Sequence, residues 1–143
     1  MKNLTRSETA QILLAHDNYT IITHRRPDGD TLGSALALSI ALNNLGIVSD
    51  VYCDDSVPSR FFFLNSVNKV KNKIDKEYSA LVAIDCADIT RLGSFNELFL
   101  AHKNTYGIDH HVSNTRYAKF NYVVDNSSNC ENVLQLIKNM DCE

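Results

Sequence analysis

The feature that most constrains the fold is a run at residues 79–84 (SALVAI), apolar from its second position on, that stops on an acid, Asp85. Strands that read as continuous apolar runs are covered on both faces, and such strands belong to parallel sheets flanked by helices. The neighbouring segments agree. Short β-branched or apolar runs at 19–23 (YTIIT), 48–53 (VSDVYC), 105–108 (TYGI) and 122–124 read as strands. Between them, apolar residues recur at helical spacing over 7–16, 31–45, 94–102 and 130–140. Thr5 or Ser7 is placed to cap the first helix and Gly46 to close the second, while Ser127 and Ser128 precede the last as N-cap residues. Residues 59–64 read as a short helix, and 67–77 as a solvated loop or helix face. The expectation is an α/β fold of three layers, a mainly parallel sheet with helices on both faces.

A length of 143 residues suits one domain with one core. Net charge −3 excludes a general polyanion binder, so any nucleic acid must be met locally, by a small basic cluster or a metal. The four cysteines, Cys53, Cys86, Cys130 and Cys142, form no Cys-x-x-Cys pair, which argues against structural zinc and for free, mostly buried thiols. The N-terminus lacks an apolar signal core, and no run approaches the ~20 apolar residues of a membrane span. A cytoplasmic location without membrane association is the expectation.

The polar residues fall in a telling order. His24 follows one strand, Asp85 another, and Asp109, His110 and His111 a third. In open α/β sheets the carboxyl ends of strands form the binding edge. That edge would gather His24, Asp28, Asp30, Asp85, Asp109, His110 and His111. So many carboxylates repel unless a cation sits among them. An Asp/His set suits Mn²⁺, Mg²⁺, Zn²⁺ or iron, and its carboxylate weight leans toward the harder ions. In the loop HRRPDGD, Pro27 and Gly29 break regular structure, and Asp28 and Asp30 of an extended loop could serve different metals. Gly33 and Ser34 are then expected to open the helix and to offer its amides to phosphate.

Taken together, THRRPDGDTLGSALAL, VAIDCAD and GIDHHVSN, with NYVVDNSSNCENVLQLI after them, resemble the motifs of the DHH phosphoesterase superfamily in order and over nearly the whole chain. The spacing looks most like the bifunctional oligoribonuclease and pAp-phosphatase branch. This resemblance implies two divalent metals, Mn²⁺ first and Mg²⁺ or Co²⁺ as substitutes. It implies His24 and Asp28 on one metal, Asp30 and His110 on the other, and Asp85 bridging both. His111, Arg91 and Ser34 would meet substrate, and Asp109 would orient the histidines. Asp85, His110 and His111 would carry the catalysis.

The implied substrates are short single-stranded oligoribonucleotides and 3′-phosphoadenosine 5′-phosphate (pAp). A cyclic dinucleotide is the alternative substrate, and a catalytically incomplete metal-binding fragment the alternative role. A homodimer is a further expectation. The family pattern continues with a fourth motif, an aspartate on a later strand, and a C-terminal substrate-binding domain. Neither Asp125 nor Asp141 matches that aspartate. Residues 1–143 therefore read as an N-terminal DHH domain cut before the fourth motif, with the second metal short of a ligand.

Overall fold

The alternation of strand and helix is realised, in a computed structural model that describes residues 2–140, as one six-stranded sheet in which every paired strand is parallel. The strands are β1 (Lys2–Asn3), β2 (Asn18–Ile22), β3 (Val48–Tyr52), β4 (Ala80–Ile84), β5 (Thr105–Asp109) and β6 (Phe120–Val123), in the order β1-β6-β5-β4-β2-β3. The helices are α1 (Arg6–Ala15), α2 (Gly29–Asn44), α3 (Asn96–Ala101) and α4 (Asn129–Asn139). The expected α/β architecture is present. Strand β1, a two-residue element pairing with β6, was not legible in the sequence. Asp141 and Cys142 lie outside the described residues.

The sheet separates two unequal apolar layers. Alternate residues of β4 point to opposite sides: Ala80, Val82 and Ile84 join the larger core, Leu81 and Ala83 the smaller. Helix α4 packs against both α1 and α2 over the larger face, where Leu13, Leu38, Leu42, Val133 and Leu136 are buried. The smaller face is covered by 3₁₀ turns over Ile89–Phe95 and by short α3, through Leu92, Phe95 and Phe99. The expected helix over 94–102 is thus shorter and begins after a break at Gly93, whose φ of 65° no regular helix accommodates. The segment 59–69 holds only two single 3₁₀ turns.

The caps follow the sequence. Thr5 and Glu8 form a reciprocal capping box on α1, and the Ser128 hydroxyl accepts from the Glu131 amide at the start of α4. Helix α2 differs from expectation. It starts at Gly29 rather than Thr31, because the Asp28 carboxylate accepts from the Thr31 amide at 2.9 Å and acts as N-cap. Asp30 therefore sits in the first helical turn, not on an extended loop, and Gly33 and Ser34 lie one turn in. The chain runs from β2 outward to β3, then returns to β4 on the other side of β2 and continues to β5 and β6. The strand order reverses between β2 and β4, which is where open α/β sheets build their sites.

Candidate metal centre

At this reversal point β2 delivers His24, β4 delivers Asp85 and β5 delivers His110, while the start of α2 brings Asp28 and Asp30 across. Asp85 takes φ 55°, a left-handed backbone that aspartate tolerates better than most residues. Its amide still donates to the Ile108 carbonyl at 2.9 Å. The last β4 carbonyl, Ile84, accepts from the buried Thr31 hydroxyl at 3.1 Å, which ties the head of α2 to the strand end. The turn aims the Asp85 side chain, itself 3% exposed, between the two histidines. Its Oδ1 is buried and accepts no hydrogen bond.

The histidine tautomers follow from their partners. His24 Nδ1 lies 2.6 Å from the Arg25 carbonyl, which can only accept, and 3.2 Å from the Arg91 guanidinium, which can only donate; the much shorter contact assigns the proton to Nδ1. His110 Nδ1 likewise faces the Asn126 carbonyl at 2.9 Å. Both Nε2 lone pairs then point at carboxylates. His24 Nε2 is 3.7 Å from Asp28 Oδ1 and 3.8 Å from Asp85 Oδ2, and His110 Nε2 is 3.2 Å from Asp85 Oδ1 and 3.4 Å from Asp30 Oδ2. Acceptors facing acceptors in a buried site need a proton or a cation between them. Ligands of an ion bound at ~2.1 Å sit about 3 Å apart in octahedral geometry, close to the separations around His110. His24, Asp28 and Asp85 form one group able to hold a metal; Asp85, Asp109, His110 and His111 form another. Asp85 belongs to both, and Asp30, in neither group, lies 3.4 Å from His110 Nε2. The residues present fit divalent cations.

Electrostatics point the same way. Burial, then the charges of Asp30, Asp28 and Asp109, push the Asp85 carboxyl up to about 8, against a smaller opposing effect of Arg91. Asp30 behaves oppositely. Burial raises it, but the amides of Asn129 and Cys130, each at 2.9 Å, outweigh that and hold it below the ordinary carboxylate range. Asp30 thus closes the N-terminus of α4 while presenting itself to His110.

The remaining expected residues divide into support and surface. Asp109 is completely buried, its Oδ1 bonded to His111 Nδ1 at 2.8 Å and its Oδ2 accepting from Asn114 at 2.7 Å. That leaves it orienting His111, whose half-exposed ring turns Nε2 away from Asp109. Arg91 is exposed, and its guanidinium lies 3.2 Å from His24 Nδ1 and 3.4 Å from the Arg25 carbonyl. Ser34, expected at the substrate, is instead fully buried; its hydroxyl lies 3.5 Å from Asp30 Oδ1 and from Cys130 Sγ, so it backs Asp30. Cys53 and Cys86 are buried and Cys130 half-buried, all free thiols.

Four asparagines were missed. Asn114 holds Asp109; Asn126 offers its carbonyl to His110; buried Asn132 donates to the Asp109 and Val124 carbonyls and accepts from Asn126; Asn129 donates to the Ile108 carbonyl. The one available signal was their density around the last motif.

Residues 18–143 match the sequence profile of the DHH family, N-terminal domain. The chain belongs to the DHH family. It is 36% identical over 110 residues to the bifunctional oligoribonuclease and PAP phosphatase NrnA of Thermus thermophilus, a match covering 75% of this chain and 32% of that protein. The chain thus spans about a third of the length of this curated relative. An exopolyphosphatase-related protein from Bacteroides fragilis, solved as a crystal structure, has the same fold. The TM-score is 0.85 at 20% identity, over 94% of this chain and 43% of that one. The candidate ligands of this DHH-family domain lie where parallel strands end and α2 begins. No helix among the described residues is long and apolar enough to cross a membrane.

Proposed function

We propose that this DHH domain is the metal-bearing part of a Mn²⁺-dependent phosphoesterase that hydrolyses short oligoribonucleotides and pAp. The observation that carries the reading is the buried Asp85 carboxylate, whose Oδ1 has no hydrogen-bond partner and which is shared by two groups of potential ligands. The substrates are those in the printed name of the Thermus relative. His24 and Asp28 would hold one cation, Asp30 and His110 the other, and Asp85 both. Such a pair supplies Lewis acidity toward the phosphate and a water acidified enough to give hydroxide near neutral pH.

The protein's own groups do the rest. The Arg25 and Asn126 carbonyls keep the Nε2 lone pairs of His24 and His110 free for ligation. Asp109 keeps His111 turned so that its outward nitrogen can meet a phosphate oxygen. Arg91, exposed beside His24, adds positive charge at the rim. The test is hydrolysis of pAp and of a short oligoribonucleotide by this chain, with Mn²⁺ and then with EDTA. Mn²⁺-dependent release of phosphate and mononucleotide is expected. Metal-independent turnover, or turnover that survives Asp85→Ala, would refute the assignment.

A further inference from the structure

The segment that follows β3 carries three consecutive phenylalanines, and two of them face water: Phe62 is 65% and Phe63 80% exposed. Isolated exposed leucines or valines are ordinary, but two adjacent, largely bare aromatic rings are not. The third ring ties their segment to the candidate site. A side-chain carbon at Gly29 would already lie 3.4 Å from Phe61 Cε1, so the Phe61 ring borders the turn between Asp28 and Asp30. The same segment is fastened to the first motif. The Asp55 carboxylate accepts from the Arg26 amide at 2.7 Å, and Arg25 lies 3.8 Å from both Asp54 and Asp55. Asp54 also accepts from the Ser94 amide and hydroxyl. Those two acids are therefore occupied within the protein.

The nearby cations are not. Arg60 stacks its guanidinium 4.7 Å from the Phe61 ring centroid, Arg26 is exposed, and neither has an acidic side-chain partner among the described residues. Rings with bare faces, two unpaired guanidiniums and an adjoining metal centre together match one ligand chemistry: a nucleobase joined to a phosphate backbone.

We propose that Phe62 and Phe63, together with Arg60 and Arg26, form a base-stacking subsite that holds a nucleoside next to the scissile phosphate. This rests on the phosphoesterase reading above and names the part of the substrate that the metal centre does not touch. Stacking on phenylalanine is tolerant of base identity, because every base has a π-face, so the subsite would favour single-stranded RNA without choosing its sequence.

The test separates binding from chemistry. A trinucleotide of RNA carrying 2-aminopurine is titrated with the chain, and the base's fluorescence is followed, since stacking quenches it. Wild type should quench and bind. Phe62→Ala and Phe63→Ala should each weaken binding about 10-fold, Phe62→Trp and Phe63→Trp should restore it, and the rise in Tm caused by Mn²⁺ should be the same in all. Cleavage is then compared between that trinucleotide and one with abasic sugars. The alanine variants should lose kcat/KM on the first and keep it on the second.

Equal loss on both substrates, unquenched fluorescence, or alanine variants that bind as wild type would each overturn the subsite. So would a changed oligomeric state in the alanine variants with binding intact, which would make the patch a protein interface. Absence of Mn²⁺-dependent cleavage with quenching intact would refute the phosphoesterase reading and leave the subsite standing.

Discussion

Asp85→Asn should make the metal-free protein more stable while removing its response to metal. The carboxyl stands at about 8 in the fold against an ordinary 3.8. Between those values the folded chain keeps a proton that the unfolded chain has lost. Stability therefore falls as pH rises from about 4 through about 8, and is level above that. At ~1.36 kcal/mol per unit of displacement, the full cost near pH 8 is on the order of 5 kcal/mol, and water entry or local relaxation should reduce what is measured to about 2–4 kcal/mol.

An asparagine at this position carries no charge at any pH, adopts the left-handed backbone as readily as aspartate, and can donate to the Nε2 lone pairs that now face carboxylates. The assay is urea unfolding in EDTA at about pH 5 and about pH 8, followed by thermal melts with Mn²⁺. The variant should gain most at the higher pH, lose the downward slope, and show no Mn²⁺-induced rise in Tm. A variant with the wild-type pH slope, or one stabilised equally by Mn²⁺, would refute the assignment of Asp85 as the buried shared ligand.

Other perturbations test the supports. Gly93→Ala should destabilise by roughly 2 kcal/mol or more in chemical denaturation, since φ is 65° and the new carbon would collide with the Asp54 carboxylate. Asn132→Ala should lower Mn²⁺ affinity by ~10-fold in calorimetry, because it frees the loop whose Asn126 carbonyl holds His110. Asp30→Ala should cost about 1–2 kcal/mol in EDTA through the uncapped amides of α4, and further weaken metal binding; an unchanged metal-free midpoint would show that the carboxylate does not cap the helix. Proton release on Mn²⁺ binding, read by calorimetry in buffers of different ionisation enthalpy, should be largest below about pH 8 and vanish well above it, as the Asp85 proton leaves.

What could be read in advance was whatever has a local period. The β4 run, the helical spacing of α2 and the strand-terminal acids pointed to the sheet and to the cluster of candidate ligands, because hydrophobic alternation and loop position are properties of neighbouring residues. The start of α2 was misplaced because Pro27 and Gly29 signal a break, yet Asp28 can cap across it. Strand β1 escaped because two residues carry no period. The asparagines around Asp109 and His110 escaped for another reason: each bridges segments brought together only by the parallel sheet, and nothing in their own surroundings marks them. Ser34 misled because a serine early in a helix resembles a phosphate contact, whereas here it faces inward.

The reversal of strand order at β2 and β4 also has a kinetic consequence. Its two flanks come from distant parts of the chain, Tyr19 pairing with Ala80 and Leu81 with Thr105, and no hairpin shortens the search. His24, Asp85 and His110 meet only when these central pairings are complete. The pair of cations proposed for the site draws on all three and cannot assist the steps that precede them. Bound metal should therefore slow unfolding and leave the folding limb of a chevron unmoved, so that occupancy protects the finished domain without hastening its assembly.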